Sequence, residues 1–327
     1  MQVIIPLAGK GTRLRPHTHL VPKPMLKVAG RPVMDWVMDR LDGLPVEELI
    51  FITGHLKDQV EAYARRRYPI ASRFIEQRVQ DGTAGAVNLA RPHVHGPTMI
   101  IFVDTVFDAD LSLATRTDAD GIIWAKEVED YQRFGVVVTD ADGYMTRIVE
   151  KPSEPISKLA NIGLYYMRDM DALWRGVDHV LAQPANKGEY YLTDAFQHMI
   201  DHGSRILTAE VGGWYDCGQL ETTLETNGLL LTRGAAGHPL VSDDVRLIEP
   251  VLIEDGCTLS HCTIGPNVTI ERGSRVTDSV ISHAIIGAHS QVEHSTLRHA
   301  MLGEAVKVAQ FRGSGSIGAH SSIAGEV

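Results

Sequence analysis

Apolar runs of strand length alternate with helical spacing along the first 120 residues or so. Val3–Leu7, Glu48–Thr53, Arg73–Gln77 and Met99–Val103 predict strands, and Met34–Leu41, Lys57–Tyr68 and Thr83–Ala90 predict helices. This alternation predicts a parallel sheet covered by helices, with ligands gathered at the carboxyl ends of the strands. From Gly121 the pattern turns to hairpins. Phe134–Thr139 and Tyr144–Val149 flank Asp140-Ala141-Asp142-Gly143, a turn-forming tetrad. Strands at Gly121–Val128, Ala160–Tyr166 and Ser204–Val211 and helices at Asp169–Leu181, Leu192–His202 and Gln219–Thr232 complete the region.

Beyond Gly234-Ala235-Ala236-Gly237-His238-Pro239, which reads as a linker, the period changes to six. Leu252, Thr258, Ile264, Ile270 and Val276 fall in strict register, as do Val280, Ile286 and Val292, then Leu302 and Val308, then Ile317 and Ile323. A six-residue apolar repeat with Ile-Gly pairs predicts a parallel β-helix whose phase slips mark corners or short insertions. The expected organisation is an α/β, Rossmann-like domain over 1–233 and a β-helix over 240–327.

Composition narrows the function classes. The 327 residues carry a formal net charge of -10, which argues against a general nucleic-acid binder while leaving room for a local basic cleft. Three cysteines, Cys217, Cys257 and Cys262, form neither an even disulfide framework nor a metal-ligand pattern. No apolar run is long enough for a membrane span and no secretory leader is visible, so a cytoplasmic location without membrane partners is expected.

The candidate chemistry starts where the first strand ends. Leu7-Ala8-Gly9-Lys10-Gly11-Thr12-Arg13 is a glycine loop followed by a cation, with Lys23 further on. Converging backbone N–H groups, a helix dipole starting there and two full charges would cradle a polyphosphate. Taken alone, a Gly-x-Gly loop is a tight turn with two solvated cations more often than a cradle, by roughly ten to one. Asp104, after a continuous apolar run, is placed either to hold a divalent cation or to cap the next turn. Asp216, in Trp214-Tyr215-Asp216-Cys217-Gly218, is a second such carboxylate or the N-cap of the following helix. Glu150-Lys151-Pro152 is an exposed ion pair or, bent inward, a hydroxyl and phosphate grip. Arg65-Arg66-Arg67 reads as a solvated helix end.

Taken together these residues resemble the sugar-1-phosphate nucleotidylyltransferases. The resemblance rests on Leu7–Leu14, Pro16, Thr18, Pro22–Leu26, Gln77 with Gly82-Thr83-Ala84, Val103-Asp104, Phe134-Gly135-Val136, Glu150-Lys151-Pro152 and Asn161–Tyr165. It continues through Gly188-Glu189 with Leu192-Thr193-Asp194 and ends at Trp214–Gly218, covering about 1–230 in the family's order. It implies that Leu7, Ala8, Gly9, Gly11 and Thr12 wrap a nucleoside triphosphate and that Thr83 also lines its site. By the same resemblance Arg13 and Lys23 are the catalytic cations, and Gln77 and Gly82 read a pyrimidine base. Asp104 and Asp216 would hold Mg²⁺. Lys151 would grip the sugar-linked phosphate, and Gly135, Glu150, Asn161 and Tyr165 would line the sugar pocket.

The loop is one glycine shorter than the usual thymidylyltransferase pattern, so dTTP and UTP both stay open, with glucose-1-phosphate as default sugar. The repeats resemble left-handed β-helices, with an assembly or regulatory role expected and a homo-oligomer implied. The alternatives are a non-catalytic nucleotide-sugar sensor and a bifunctional enzyme whose β-helix is an acetyltransferase.

Overall fold

The computed structural model describes residues 1–186 and 188–325. The end of the domain expected over 240–327 therefore lies outside the described residues. The chain forms two compact units, residues 1–9 with 37–214 and residues 10–36 with 215–327.

The first unit is built on a nine-stranded mixed sheet. Its main path runs Met145–Glu150, Gly135–Thr139, Leu159–Met167, Thr98–Ile101, Gln2–Pro6, Glu48–Thr53 and Ala71–Glu76, and Gly121–Glu127 with Ile206–Glu210 branches from Leu159–Met167. Gln2–Pro6, Glu48–Thr53, Ala71–Glu76 and Thr98–Ile101 are mutually parallel, as the alternating pattern predicts. Val3, Ile4, Ile5 and Leu49 to Ile52 are fully buried, so these strands are covered on both faces, and continuous apolar runs are what such strands require. Leu159–Met167 then reverses the direction, pairing antiparallel with Thr98–Ile101 and Gly121–Glu127. The helices Met170–Leu181 and Leu192–Asp201 pack Leu173, Trp174, Val177 and Phe196 onto one sheet face. The first of them starts on a capping bond, Ala172 N–H to Asp169 Oδ1 at 2.8 Å.

The hairpin behaves as its turn residues predict. Asp140 Oδ1 accepts from the backbone N–H groups of Asp142 and Tyr144, and Gly143 takes φ +83°, where a side chain would be strained. Arg65, Arg66 and Arg67 lie exposed in the last turn of Lys57–Arg67, with Arg65 stacked 4.6 Å from the Phe74 ring centroid.

In the second unit, residues 245–324 coil as parallel strands on three flat sides. One interior row stacks Ile253, Ile270, Ile286, Leu302 and Ile317, a second stacks Leu259, Val276, Val292, Val308 and Ile323, and a third runs through Leu247, Ile264, Ile281 and Leu297. The β-helix expectation holds, but its register differs at three places. Leu252, Thr258 and Val280 point outward, and their neighbours Ile253, Leu259 and Ile281 face in. The reason is coil length. The Ile253 row advances by 17, 16, 16 and 15 residues per turn rather than three sixes, so at least one corner in each turn is shortened. The corners use left-handed backbone at His261, Asn267, Asp278, His283, His294 and others. Buried serines satisfy the backbone there: Ser274 Oγ accepts from Ser290 N–H at 3.2 Å, and Ser290 Oγ from Val306 N–H at 3.1 Å.

Candidate active site

The first unit gathers one half of the candidate residues. Leu159–Met167 carries a register irregularity between Asn161 and Tyr165, where Gly163 takes φ +77°. At this bulge the Tyr165 hydroxyl donates to Asn161 Oδ1 at 2.5 Å and Gly163 N–H donates to the same oxygen at 2.9 Å. Gly135, at the start of its strand, faces this pair. A Cβ added there would lie 2.5 Å from Asn161 Nδ2, 2.9 Å from Glu150 Oε2 and 3.0 Å from Thr193 Cγ2. Gly135, Glu150, Asn161 and Tyr165 thus form one wall with no room for a side chain at position 135.

Lys151 adopts φ +45°, the bend needed to keep two consecutive strand residues near one another. Its Nζ sits 3.6 Å from Glu150 Oε1 and 5.0 Å from the Tyr191 ring centroid. The Glu150–Lys151 pair is therefore turned together rather than split across the sheet. Burial pushes the Glu150 carboxyl above its ordinary range, against the pull of Lys151 and the hydrogen bond from Thr193 Oγ1 at 3.2 Å. Burial, with the charges of Glu150 and Asp104, holds the Tyr165 phenol far above its usual pKa, so it remains a neutral donor. Asp104 lies in the turn after Thr98–Ile101, a strand that stops two residues short of the expected Val103.

A second cluster surrounds Gln77. This buried side chain donates from Nε2 to Asp81 Oδ1 at 2.9 Å and to the Gly82 carbonyl at 3.2 Å. Gly82, at φ +114°, is pressed against the Tyr190 backbone, with a Cβ there only 2.4 Å from the Tyr190 oxygen. Thr83 Oγ1 accepts from Leu192 N–H at 2.8 Å. Leu7 and Ala8 are buried at the end of the first strand, Gly9 is exposed, and Gln80 Nε2 reaches the Ala8 carbonyl at 2.6 Å.

The second unit holds the remaining candidates. Gly11 takes φ +60°, its carbonyl accepts from Thr18 Oγ1 at 2.8 Å, and a Cβ there would stand 3.1 Å from Lys23 Cβ. Thr12 and Arg13 are exposed in a three-residue 3₁₀ turn, Thr12–Leu14. The helix dipole expected at this loop is therefore absent, because so short a turn aligns too few peptide groups. Asp216 is not the N-cap of the next helix. That position is Gln219, ahead of Leu220–Leu230. Asp216 Oδ1 accepts from Gly218 N–H at 2.7 Å, and Oδ2 accepts from Thr222 Oγ1 at 3.2 Å. Asp81, Thr193, Tyr191 and Thr222 carry much of this geometry and were missed from the sequence. Thr193 alone had a signal, its place in Leu192-Thr193-Asp194.

No cluster of three or more His, Cys, Asp or Glu side chains suited to a metal exists among the described residues. Asp104 and Asp216 are each hard-oxygen donors, and a cation that completes its shell with phosphate oxygens and water asks no more of a protein than one or two carboxylates. No helix among the described residues is long and apolar enough to cross a membrane, which leaves β-barrels unaddressed.

With this geometry in place, comparison with known proteins gives a family. Residues 2–233 match the nucleotidyl transferase family, and the chain belongs to it. Among its relatives is the bifunctional protein GlmU of Methanococcus aeolicus, 33% identical over 257 residues; the chain covers 60% of that protein's length, with 76% of its own aligned. The UTP–glucose-1-phosphate uridylyltransferase AglF of Haloferax volcanii is 33% identical over 223 residues, 65% of this chain and 89% of that one. A glucose-1-phosphate thymidylyltransferase of Streptomyces antibioticus is 27% identical over 338 residues, covering 95% of this chain and 94% of the relative. A UDP-glucose pyrophosphorylase solved with UDP-glucose shares the fold, with a TM-score of 0.62 at 21% identity over 71% of this chain and 98% of that structure.

Proposed function

We propose that the protein transfers a nucleotidyl group from dTTP or UTP to a sugar-1-phosphate, glucose-1-phosphate first among them, and releases pyrophosphate. The observation that carries the reading is the Gly135–Asn161–Glu150–Tyr165 wall beside Lys151. It offers acceptors and donors for sugar hydroxyls next to a cation for the sugar-linked phosphate. Two relatives, a uridylyl- and a thymidylyltransferase of glucose-1-phosphate whose own lengths are matched over 89% and 94%, support the same class.

In this reading a phosphate oxygen of the sugar-1-phosphate forms a bond to the α-phosphorus as the bond from that phosphorus to the bridging oxygen breaks, and pyrophosphate departs with the electron pair. No protein nucleophile is needed. The residues' work is alignment and neutralisation of two mutually repelling anions. Arg13 and Lys23 meet the triphosphate, and Gly9 and Gly11 leave backbone N–H groups open to it. Gln77, fixed by Asp81, presents its amide to the pyrimidine base at Gly82, and Thr83 flanks it. Lys151 holds the incoming phosphate, and Glu150 accepts hydrogen bonds from sugar hydroxyls. Asp104 and Asp216 would hold a divalent cation, Mg²⁺ by choice, which supplies charge neutralisation at the phosphates when bound.

The test is a pyrophosphate-release screen crossing dTTP, UTP, CTP, GTP and ATP with glucose-, N-acetylglucosamine- and mannose-1-phosphate. Release with a pyrimidine triphosphate and glucose-1-phosphate is expected. Silence across every pair overturns the reading in favour of a nucleotide-sugar sensor.

A further inference from the structure

One side of the β-helix turns the residues Leu252, Thr269, Ile285, Met301 and Ser316 outward, in successive coils. An outward row on such a coil ordinarily faces water, yet Thr269, Ile285 and Met301 are 0%, 2% and 4% exposed. What covers the row is the unit's own chain, the helix Leu220–Leu230 packed on these strands together with residues 10–36. Residues 10–36 are fastened at three points, two on the coils and one on that helix. His17 Nε2 lies 2.8 Å from Ser316 Oγ, Lys27 Nζ donates to Glu271 Oε2 at 2.9 Å, and Ala29 N–H donates to Asn227 Oδ1 at 2.8 Å.

The His17 and Asn227 fastenings sit on buried side chains, and the Lys27–Glu271 pair is partly exposed on the lysine side. His17 is 5% exposed, and Pro16 beside it packs against Gly318, where a Cβ would stand 3.0 Å from the proline Cβ. Asn227 is fully buried, and its Oδ1 also accepts from Thr269 Oγ1 at 2.7 Å. With Asn227 and His17 buried, contacts of this sort hold a backbone path.

Close to the pins along the chain lie the cations assigned to the triphosphate. Arg13 precedes His17 by one turn, and Lys23 sits between His17 and Lys27. The His17 carbonyl accepts from both Leu20 and Val21 N–H at 3.3 and 3.2 Å, shaping the turn toward Lys23, and the next residue, Thr18, bonds the Gly11 carbonyl. The third pin extends to Asp216. Thr226, adjacent to Asn227 on the same helix, donates from Oγ1 to the Asp216 carbonyl at 3.0 Å.

We propose that the β-helix is the positioning frame for the phosphate-handling half of the site, with Ser316 a positioning residue that acts on Arg13 and Lys23 through His17. This deepens the nucleotidyl-transfer reading and rests on it. A role for the coils in stability alone would leave turnover per folded molecule unchanged. A positioning role predicts a loss of kcat with the fold retained, because displacing a charge by about 1 Å costs up to roughly 10²-fold in rate.

The experiment compares the full-length wild type with Ser316→Ala and Ser316→Thr. Expected for Ser316→Ala are a kcat for pyrophosphate release lowered by roughly tenfold, an unchanged KM for the sugar-1-phosphate, an unchanged circular dichroism spectrum, and faster amide exchange confined to residues 10–26. Ser316→Thr, which keeps the hydroxyl, is expected to restore both. Unchanged exchange, or faster exchange with unchanged kcat, overturns the inference. A wild type silent with every substrate pair overturns the transfer reading instead. The frame is then judged by exchange and by titration with dTTP and UTP, where equal affinity of wild type and Ser316→Ala counts against it.

Discussion

Gly135 and Asn161 approach so closely that the smallest possible side chain at 135 would stand 2.5 Å from the Asn161 amide nitrogen. The space matters because Asn161 Oδ1 is already committed to Tyr165 and to Gly163 N–H, so the amide cannot swing aside without breaking two hydrogen bonds. Gly135→Ala is therefore expected to displace Asn161 or Glu150. Overpacking of this kind costs about 1–3 kcal/mol of stability. The larger effect falls on the sugar side, with kcat/KM for glucose-1-phosphate lowered by about 10²-fold and triphosphate affinity retained. Steady-state kinetics on both substrates with a thermal melt separates the two.

Arg13 is exposed, so its removal leaves the fold alone, whereas its charge is central to the proposed transfer. Arg13→Ala and Asp104→Ala are each expected to reduce turnover by about 10²-fold or more with melting temperatures close to wild type. Near-normal pyrophosphate release by either variant would remove that residue from the machinery. Addition of a chelator is expected to abolish release by the wild type, and added Mg²⁺ to restore it.

Much of this was legible in the sequence, for identifiable reasons. Continuous apolar runs such as Val3–Leu7 mark strands buried on both faces, and the Asp140–Gly143 tetrad marks its turn because both signals are local. The six-residue period announced the coils but misplaced Leu252, Thr258 and Val280, since a shortened corner changes which of two adjacent residues points inward. Asp216 read equally as a cap because capping depends on where the helix begins, and it begins after Gln219. Thr193 against Glu150, and Ser316 against His17, are contacts across 43 and 299 residues that no spacing rule reveals.

Glu150 sets function against stability. Its carboxyl is largely buried, and burial raises its pKa above the unfolded value. A raised folded-state pKa means that the native chain binds the proton more tightly. The stabilising contribution is complete below the unfolded pKa and is lost as pH rises through the folded one, so at neutral pH the ionised group is a net cost. Glu150→Gln keeps the acceptor for Thr193 and removes the buried charge. The variant is expected to melt above wild type at pH 7, with the difference shrinking toward pH 4, while losing activity toward the sugar-1-phosphate. A variant less stable than wild type at pH 7 would show that Lys151 more than offsets the burial.

His17 runs the opposite way. Burial lowers its pKa from 6.5 to about 4, so the folded chain keeps the ring neutral where the unfolded chain protonates it. The stability that comes from burying a neutral imidazole is then complete above about pH 6.5, declines as pH falls toward 4, and is level below that. The whole swing is on the order of 3 kcal/mol. Glu150 and the buried Glu271, whose carboxyls are raised by burial, titrate in part of the same window with opposite sign, so the wild-type curve alone does not isolate the histidine. The difference between wild type and His17→Gln does. Glutamine can still meet Ser316 Oγ but cannot titrate, so the two stability curves are expected to converge as pH falls from 7 to 4.5, wild type losing more. Parallel curves from urea melts across that range would mean that the ring is not held neutral against Ser316.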